Sequence, residues 1–586
     1  MCGIVGYVGR REAAPILLEA LRRLEYRGYD SAGMCTLSDK GLLVKKDKGK
    51  IEEIEARLKL SELPGHMGLG HTRWATHGEP SQRNAHPHLD CRGEVAVIHN
   101  GIIENYLQLR DFLEGKGYTF SSDTDSEVIP NLISYHLRTG TTLTDAVKKT
   151  CLKLKGSFAL GVMYIHEPGK IIGVRKESPL VVGIGREEMF LSSDIPAILK
   201  FTRRVIPLRD WEMAELTMKG VKISSLQTGK IVKREPTLIK WTLQVAEKMG
   251  YPHFMLKEIF EQPAAVRETL RSDPAALKRL SEEMEKARGV YLVGCGTSYH
   301  AALVGKYLLS KLANLSVEAV LSSEFQESCR VEKGELVLAI TQSGETADTL
   351  KAARLAKEKG AKVACLVNVV GSTITRESDL TCYIHAGPEI SVVATKTFTS
   401  QLAYLLRLAL SLSSKKLNLS NLHEMIETVL KQMQPKTKEL ASRYRSIEDI
   451  YLISRGIGYP IAMEGALKLK EVAYIHAEAM AGGELKHGTL ALIEEGTPVM
   501  ALVPPGEVRD RMFSNIQEVK ARGAKVVAIA CERIPNVETC LLPQVEETLF
   551  PFLSILPLQL LSYYLAVERG CDPDRPRHLA KSVTVE

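Results

Sequence analysis

The segment Val290-Tyr291-Leu292-Val293-Gly294-Cys295-Gly296-Thr297-Ser298 decides how the second half of this chain folds. Its four apolar residues predict a buried strand, and the glycines and hydroxyl residues that follow predict a tight loop. A helical pattern begins directly after the loop. A strand, a loop and a helix in this order form the unit of a parallel sheet that is covered by helices.

The same unit occurs a second time, which indicates an internal repeat. Residues 290–293 align with Ile450-Tyr451-Leu452-Ile453, an offset of 160 residues, and residues 360–363 align with 523–526, an offset of 163. Because a nearly constant offset over such a distance rarely arises by chance, we predict two doubly wound domains produced by duplication. The clearest predicted strands are residues 290–293, 336–341, 363–367, 450–454, 499–503 and 526–530.

The first copy contains two loops that suit a phosphate group. Residues 294–298 and Gln342-Ser343-Gly344-Glu345-Thr346 each connect a strand to a helix. A helix N-terminus offers free N–H groups and a positive dipole end, and the hydroxyls add donors. Neither loop has the lysine of a Walker motif, so a phosphate monoester fits better than a nucleoside triphosphate. The alternative is a pair of ordinary turns whose hydroxyls cap helices.

The second copy has lost these hydroxyls and instead has titratable groups. Its loops are Arg455-Gly456-Ile457-Gly458 and residues 504–508, and the first helix has Glu464, Lys468 and Glu471. At about 100° per residue, the two carboxylates lie within about 20° of each other and Lys468 about 40° from Glu464, while Lys470 points away. Such a face suits acid–base chemistry, although a solvated face with ordinary ion pairs is the alternative. The division of groups between the copies suggests one composite site.

The first 230 residues differ from the repeat, because short strands and helices alternate there with many turns. We predict helices at residues 15–24, 127–137 and 143–154, and strands at 94–99, 158–165, 171–175 and 180–184. Asn100-Gly101 is predicted to be a turn that ends the strand. Pro236, Pro252 and Pro263 interrupt the pattern, so we place a linker around residues 235–263.

The N-terminal residues suggest a nucleophile. Removal of Met1 would leave Cys2 with a free α-amine, whose reference pKa of about 7.7–8.0 lets it accept the thiol proton. Arg73 could bind a carboxylate, Asn100 and Gly101 could form an oxyanion hole, and Asp125 could receive an ammonium. The alternatives are an incidental cysteine and ordinary surface turns or ion pairs.

Composition limits the class of protein. The chain has 586 residues, of which 45% are hydrophobic and 25% charged, which is typical of a soluble globular protein. Its length predicts roughly four domains, and the limited size of a single core requires at least two or three. The net charge of +7 argues against a dedicated nucleic-acid binder. The 11 cysteines form no regular framework, which favours a reducing, cytoplasmic location.

Two features of the sequence resemble a membrane span and a metal site, and we expect neither. Residues 549–567 are uncharged, but Pro551 and Pro557 interrupt them, so we predict a buried helix at 558–567 and no membrane span. His86 and His88 lack a carboxylate or cysteine partner motif, so we expect a structural role in a loop and no metal.

Several motifs together resemble one family. Those of the first half resemble a class II glutamine amidotransferase domain, and those of the second half resemble paired sugar-isomerase (SIS) domains. In this order they are similar to the family of isomerising glutamine–fructose-6-phosphate aminotransferases. The motifs are residues 1–6, 24–33, 71–80 and 99–105, then Cys295-Gly296-Thr297-Ser298, residues 342–346, 464–471, Glu484-Leu485-Lys486-His487-Gly488 and 579–586.

The resemblance implies an α/β and α+β multidomain fold. An N-terminal-nucleophile αββα four-layer sandwich is expected first, followed by two doubly wound parallel-sheet SIS domains. The expected bounds are residues 2–217 for the glutaminase domain, 218–279 for the end of the sandwich and the linker, 280–419 and 440–576 for the SIS domains, and 577–586 for a catalytic tail.

The resemblance also implies the first half of a mechanism. Cys2 would attack the side-chain amide of glutamine, with Asn100 and Gly101 holding the oxyanion. Trp74 would gate an internal ammonia channel. The residues implied to bind glutamine are Arg73, Thr76, His77 and Asp125, with Arg27 in a loop over the site.

In the second half, Lys581 would form a Schiff base with fructose 6-phosphate. Ammonia would replace the lysine, and Glu471 would move a proton between C1 and C2, helped by Lys468. His487 of a neighbouring subunit would assist ring opening, which implies a homo-oligomer, at least a dimer. The residues implied to bind the sugar phosphate are Thr297, Ser298, Thr341, Gln342, Ser343, Thr346, Val392 and Ala580.

The product implied is glucosamine 6-phosphate, in the first committed step of amino-sugar synthesis, with no metal or organic cofactor. Departures from the family pattern, such as Thr341 in place of serine and Thr489 in place of proline, remove no proposed catalytic group. Two other functions stay open, namely a ketose/aldose phosphate isomerase with a glutamine-sensing domain and a non-enzymatic sugar-phosphate sensor. A sensor would not need Cys2, Glu471 and Lys581 together.

Overall fold

The computed structural model describes residues 2–75, 77–239 and 248–583, with only the main chain of Tyr26. It divides into two compact units. The first comprises Met1–Ala246 together with Ala580–Glu586, and the second comprises Glu247–Leu579.

The first unit contains two antiparallel sheets. An eight-stranded sheet has the order β14-β11-β9-β10-β1-β4-β2-β3, and a six-stranded sheet has the order β13-β12-β8-β7-β6-β5. The strands are β1 Gly3–Val8, β2 Ser31–Ser38, β3 Gly41–Lys48, β4 Met67–Arg73, β5 His88–Leu89, β6 Val95–Ile103, β7 Gly156–Tyr164, β8 Ile171–Lys176, β9 Val181–Ile184, β10 Met189–Ser192, β11 Arg204–Pro207, β12 Glu212–Thr217, β13 Gly220–Ser225 and β14 Thr237–Leu238.

Helices cover the outer faces of both sheets, which gives four layers. Along β1, Ile4 belongs to the core between the sheets and Val5 to the core under the first helix, as the two-residue period of a strand requires. On the other side, Ile129 and Leu132 pack on the six-stranded sheet. The helices are α1 Ala13–Arg22, α2 Ile51–Leu58, α3 Tyr106–Glu114, α4 Val128–Leu137 and α5 Leu143–Cys151.

The second unit contains two five-stranded sheets with the same strand order. The sheets run β16-β15-β17-β18-β19 and β21-β20-β22-β23-β24, and the recorded pairs are all parallel. Identical topology in both copies confirms the duplication. The strands are β15 Val290–Gly294, β16 Glu318–Leu321, β17 Leu336–Thr341, β18 Lys362–Val367, β19 Leu380–Tyr383, β20 Asp449–Ser454, β21 His476–Ala481, β22 Pro498–Val503, β23 Lys525–Ala530 and β24 Glu538–Leu541.

One large apolar core extends through both copies of the repeat, from Met255 to Ala566. The helices are α6 Phe254–Leu270, α7 Pro274–Lys286, α8 Thr297–Ala313, α9 Phe325–Ser328, α10 Ala347–Glu358, α11 Thr373–Glu377, α12 Lys396–Ser411, α13 Leu422–Tyr444, α14 Tyr459–Lys468, α15 Arg509–Lys520 and α16 Phe550–Glu568.

The predicted fold class is confirmed, but three local predictions were wrong. Asn100 and Gly101 lie inside β6 and do not form a turn. Pro263 lies inside α6, so the predicted linker overlaps a helix. The buried helix predicted at 558–567 begins eight residues earlier, at Phe550.

The apolar helix at the C-terminal end is a core helix. Among the described residues, Glu547–Glu568 is the one helical stretch with the length and composition of a membrane span, and 94% of its most apolar window is buried inside the protein. Pro551 lies in its first turn, where the missing N–H costs nothing. The helix contacts α13, α14 and α6, so its apolar surface is covered by protein.

Candidate active site

Cys2 is positioned by the pairing of β1 with β4. Gly3 pairs with Thr72, so the residue before β1 meets the residues just after β4. The Trp74 N–H donates to Cys2 Sγ over 3.2 Å, and Sγ lies 3.5 Å from the Trp74 carbonyl oxygen. The Cys2 thiol is therefore held by main-chain groups and is half-buried.

Asn100 lies directly against Cys2. Its Nδ2 donates to the Cys2 carbonyl oxygen over 2.9 Å, and its Oδ1 lies 3.1 Å from His71 Nε2. The neighbouring Gly101 has φ +126°, and a Cβ there would lie 2.0 Å from the Ser157 carbonyl oxygen, so only glycine fits. The predicted oxyanion pair is thus placed beside the predicted nucleophile, although by a strand and not by a turn.

Among the residues predicted to bind the amino-acid end of glutamine, Arg73 interacts electrostatically with both Cys2 and Asp125. Arg73 is buried, and its guanidinium donates to the carbonyl oxygens of His77 and Gly78. Burial lowers the pKa of Arg73, while the charges of Cys2 and Asp125 oppose this shift. Asp125 Oδ2 accepts a hydrogen bond of 2.7 Å from the Ile103 N–H. Thr76 lies outside the described residues.

Arg27 and Trp74 also reach this site. Arg27 is buried, forms an ion pair of 2.8 Å with Asp194, and its Nε lies 3.4 Å from the Cys2 carbonyl oxygen. The Trp74 ring packs edge to face against Tyr29 with ring centroids 5.4 Å apart. Arg27 therefore contacts Cys2 itself, whereas the prediction placed it only in a loop over the site.

Four buried histidines lie close together, and one of them, His71, lies against Asn100. His71 stacks on His86 with ring centroids 4.2 Å apart, and His86 packs against His88 at 4.4 Å. His99 Nδ1 lies 2.8 Å from Ser126 Oγ. Burial lowers the pKa of each of them, that of His71 to about 3, so they are neutral near neutral pH. In the described part of the chain, no group of three or more His, Cys, Asp or Glu side chains is arranged to hold a metal ion.

In the second unit, the two copies of the repeat meet in one polar network. Thr297, at the start of α8, donates to Glu464 Oε1 over 3.0 Å and accepts from Lys468 Nζ over 3.0 Å. Lys468 Nζ lies 3.2 Å from Glu464 Oε1 and 2.6 Å from Glu471 Oε2. The composite arrangement is therefore present. The Thr297 hydroxyl donates to Glu464 in this arrangement, and its contact with a sugar phosphate stays a prediction.

Burial makes this network chemically different from a solvated helix face. The Glu464 and Lys468 side chains are 0% exposed, while Lys470 is exposed. Burial alone would raise the pKa of Glu464, but the Lys468 ammonium and the His300 hydrogen bond lower it. Burial alone would lower the pKa of Lys468, but the two carboxylates raise it. A charged amine thus lies between two carboxylates inside the protein.

The helix changes its winding between Lys468 and Glu471. The α-helix α14 ends at Lys468, and Leu469–Ala473 form a π-helical turn. Such turns are often found at functional sites. The sequence gives no signal for this turn, since the angular argument assumed a regular α-helix.

The loops predicted to bind phosphate follow β15 and β17, at the carboxyl ends of the strands. Ser298 Oγ accepts from Gln401 Nε2 over 3.0 Å, which leaves its hydroxyl hydrogen able to donate. Thr341 Oγ1 accepts from the Gly344 N–H, and Ser343 Oγ accepts from the Glu345 N–H, both over 3.2 Å. Thr346 is the N-cap of α10 and makes no capping bond with its side chain. The Gln342 carbonyl oxygen accepts from the Asn368 N–H.

The remaining predicted residues lie in other parts of the chain. His487 is exposed in the short turn Leu485–His487. Val392 is buried, and its N–H donates to the Asp574 carbonyl oxygen over 3.1 Å. Ala580 and Lys581 are half-buried and belong to the segment that groups with the first unit.

The sequence did not indicate two residues of this site. Glu464 was recognised on the helix face but received no catalytic role, and His300 was not considered. His300 Nδ1 lies 2.7 Å from Glu464 Oε2. The spacing from Thr297 to His300, one helical turn, is the signal that could have found it.

Comparison with known proteins identifies a different kind of domain in each half of the chain. The model of the glutamine amidotransferase domain matches residues 71–200, and that of the SIS domain matches 283–411 and 444–569. The chain is therefore a glutamine amidotransferase joined to a pair of SIS domains.

Curated relatives and a solved structure define the family. Proteins of Thermococcus kodakarensis and Clostridium tetani named glutamine–fructose-6-phosphate aminotransferase (isomerizing) are 49% and 48% identical, over 100% of each chain. The C-terminal domain of glucosamine-fructose-6-phosphate aminotransferase from Francisella tularensis is 37% identical with a TM-score of 0.52, covering 56% of this chain and 100% of that one. The chain belongs to the family of isomerizing glutamine–fructose-6-phosphate aminotransferases.

Proposed function

We propose that this chain converts fructose 6-phosphate and glutamine to glucosamine 6-phosphate and glutamate. The strongest support is that one chain contains both the Cys2 thiol, which is hydrogen-bonded to the main chain, and the buried network of Glu464, Lys468 and Glu471. The chain also belongs to a family that is named for this reaction. An isomerase or a sugar sensor would need only the network or the phosphate loops.

The Cys2 thiolate attacks the side-chain carbonyl carbon of glutamine, and ammonia leaves as the glutamyl thioester forms. Water then releases glutamate. The Asn100 amide and the Gly101 N–H stabilise the oxyanion, which requires the Asn100 Nδ2 to turn from the Cys2 carbonyl oxygen to the substrate. Arg73 binds the glutamine carboxylate, Asp125 binds its ammonium with His77 and Thr76, and Arg27 holds the Cys2 main chain.

In the second unit the phosphate is bound by the hydroxyls and N–H groups of the two loops, and Lys581 forms a Schiff base with the ketose. Formation of the Schiff base releases one water, which balances the water used to release glutamate. Ammonia then adds to the same carbon and the neutral lysine amine leaves. Glu471 then carries a proton between C1 and C2, next to the Lys468 ammonium. His487 is supplied to the site by the partner subunit of a homodimer in the cytoplasm. Trp74 gates the passage of ammonia.

The deciding assay mixes the full chain with glutamine and fructose 6-phosphate and measures glutamate and amino sugar phosphate. We expect equimolar amounts. The Cys2→Ala variant should lose synthesis from glutamine and keep synthesis from ammonium salts, because only the first half-reaction uses the thiol. Glutamate without amino sugar in the wild type would overturn the proposal, and so would glutamine-dependent synthesis by Cys2→Ala.

A further inference from the structure

His300 lies against the buried network although the proposed chemistry gives it no task. It lies in the first turn of α8, on the first copy of the repeat, and its partner Glu464 lies on α14 of the second copy. The distance between Nδ1 and Glu464 Oε2 is 2.7 Å, with the histidine side chain 11% exposed and the glutamate 0%. A bond of this length to a fully buried carboxylate is a strong one.

The hydrogen in this bond belongs to His300. Although burial alone would raise the pKa of Glu464, the Lys468 ammonium and the hydrogen bond from His300 lower it, so Glu464 is ionised near neutral pH. An ionised carboxylate can only accept hydrogen bonds. His300 Nδ1 therefore donates, in either the neutral Nδ1–H tautomer or the charged form.

This bond fixes the rotation of the Glu464 carboxylate. Oε1 accepts from Thr297 and faces Lys468, while the bond recorded at Oε2 comes from His300. Without the histidine, Oε2 would be a buried oxygen lacking its donor, and the carboxylate would gain by rotating toward another one. Such a rotation would break the contacts that hold Lys468 next to Glu471.

We propose that His300 is a positioning residue for the sugar-phosphate chemistry, which keeps Glu464 oriented so that Thr297 and Lys468 stay beside Glu471. The proposal deepens the function proposed above and rests on it. His300 is expected to affect the rate of the chemical step and not the binding of the phosphate, because its contact is with Glu464 and not with the phosphate loops.

The test compares His300→Leu with His300→Asn in the full chain. Asn Nδ2 can occupy nearly the place of His Nδ1 and donate the same bond, whereas leucine fills the space without a donor. His476→Leu is the matched control, because His476 Nδ1 also lies 2.6 Å from a carboxylate, that of Asp449, but at the surface with 66% of the side chain exposed.

For amino sugar formation from ammonium salts, we expect His300→Leu to lower kcat about 10- to 100-fold, the equivalent of one hydrogen bond to a charged group. The KM for fructose 6-phosphate should change less than about threefold. His300→Asn should stay within about threefold of the wild-type kcat, and His476→Leu should match the wild type. An unchanged kcat in His300→Leu, an equal loss in His300→Asn, or a loss only in KM would overturn the positioning role.

A second measurement separates this inference from the proposed function. In a double-mutant cycle on the apparent Tm, His300→Leu and Glu464→Gln should be non-additive, because each removes the same charged bond. Additive effects would overturn the inference even if the enzyme is active. A wild-type chain that releases glutamate but makes no amino sugar would overturn the proposed function, and the cycle would still decide whether His300 supports Glu464.

Discussion

At the scale of single residues, Gly101 determines how the oxyanion pair is built. Its φ of +126° and the Ser157 carbonyl oxygen, 2.0 Å from the place of a Cβ, exclude any side chain. We expect Gly101→Ala to destabilise the protein by about 1–3 kcal/mol and to displace the adjacent Asn100. The rate of glutamate release from glutamine, measured without fructose 6-phosphate, should fall at least tenfold. The apparent Tm should also be lower.

Gly93→Ala provides the control for this prediction. Gly93 also has a positive φ, +72°, but no atom lies within 4 Å of its would-be Cβ. The substitution should therefore carry only the cost of the backbone conformation and keep the glutaminase activity. Equal activities of the two variants would show that the fit at Gly101 does not determine the position of Asn100.

Residue chemistry was easier to predict from the sequence than residue geometry. An amide side chain next to glycine suggested an oxyanion hole, and the structure places the Asn100 amide against Cys2. The dipeptide nevertheless also favours a turn, and pairing of β6 with β7 overrides that local preference, since Asn100 and Gly101 face Ala159 and Phe158. Sequence-local rules do not contain this pairing.

At the scale of elements, Asp574 connects the C-terminal segment to the start of α6. Its two carboxylate oxygens accept from the N–H groups of Phe254 and Met255, each over 2.8 Å, and burial raises its pKa. It thus caps a helix from 320 residues away in the sequence. We expect Asp574→Ala to cost about 1–2 kcal/mol, seen as a lower apparent Tm.

Asp510→Ala is the matched comparison for the cap. Asp510 also lies in the first turn of a helix, α15, but it is 79% exposed and bonds only to its neighbour Arg509 in the recorded contacts. Replacing Asp510 should remove only the interaction of its carboxylate with the helix dipole, about 0.3–1 kcal/mol. A smaller Tm loss in Asp574→Ala than in Asp510→Ala would contradict the capping role.

The sign of the pH dependence at Asp574 follows from its raised pKa. A group of this kind contributes stability that is fully present below its unfolded-state pKa of about 3.9 and is lost as the pH rises through the folded-state pKa. The Tm difference between the wild type and Asp574→Ala should therefore shrink as the pH rises from about 4 to 7. A difference that grows over this range would contradict the assigned pKa direction.

The elements of the repeat were predicted well because their pattern is local. Buried parallel strands are continuous apolar runs, and the predicted span of β17 agrees with the structure at both ends. The π-helical turn at Leu469–Ala473 and the interior proline of α6 were missed, since tertiary packing maintains both against local preference.

At the scale of the whole molecule, the network of Thr297, Glu464 and Lys468 joins residues about 170 positions apart, so neither copy of the repeat contains it alone. Comparing the copies suggested a composite site, because the first copy keeps the loop hydroxyls and the second copy keeps the titratable groups. That comparison does not identify the contacts inside the site, since nothing in the sequence shows that the Thr297 hydroxyl bonds to Glu464 and Lys468.

Two lysines from different parts of the molecule, Lys468 and Lys581, are candidates for the amine that attacks the ketose. A Schiff base requires a neutral amine. Lys468 is unsuitable, because Glu464 and Glu471 raise its pKa against the effect of burial. Lys581 is half-buried near the C-terminus and lies on neither α14 nor the π-helical turn that carry these carboxylates. We therefore expect borohydride to trap fructose 6-phosphate on Lys581.

The trapped sugar is located by mass spectrometry of peptides from the full chain. Lys581→Arg should lose the label, because a guanidinium does not form the Schiff base. Lys470→Arg is the control and should keep it, since Lys470 is exposed and points away from the network. A label on Lys468 in the wild type would mean that the buried amine loses its proton when the sugar binds, and would move the covalent step from the C-terminal segment to the repeat.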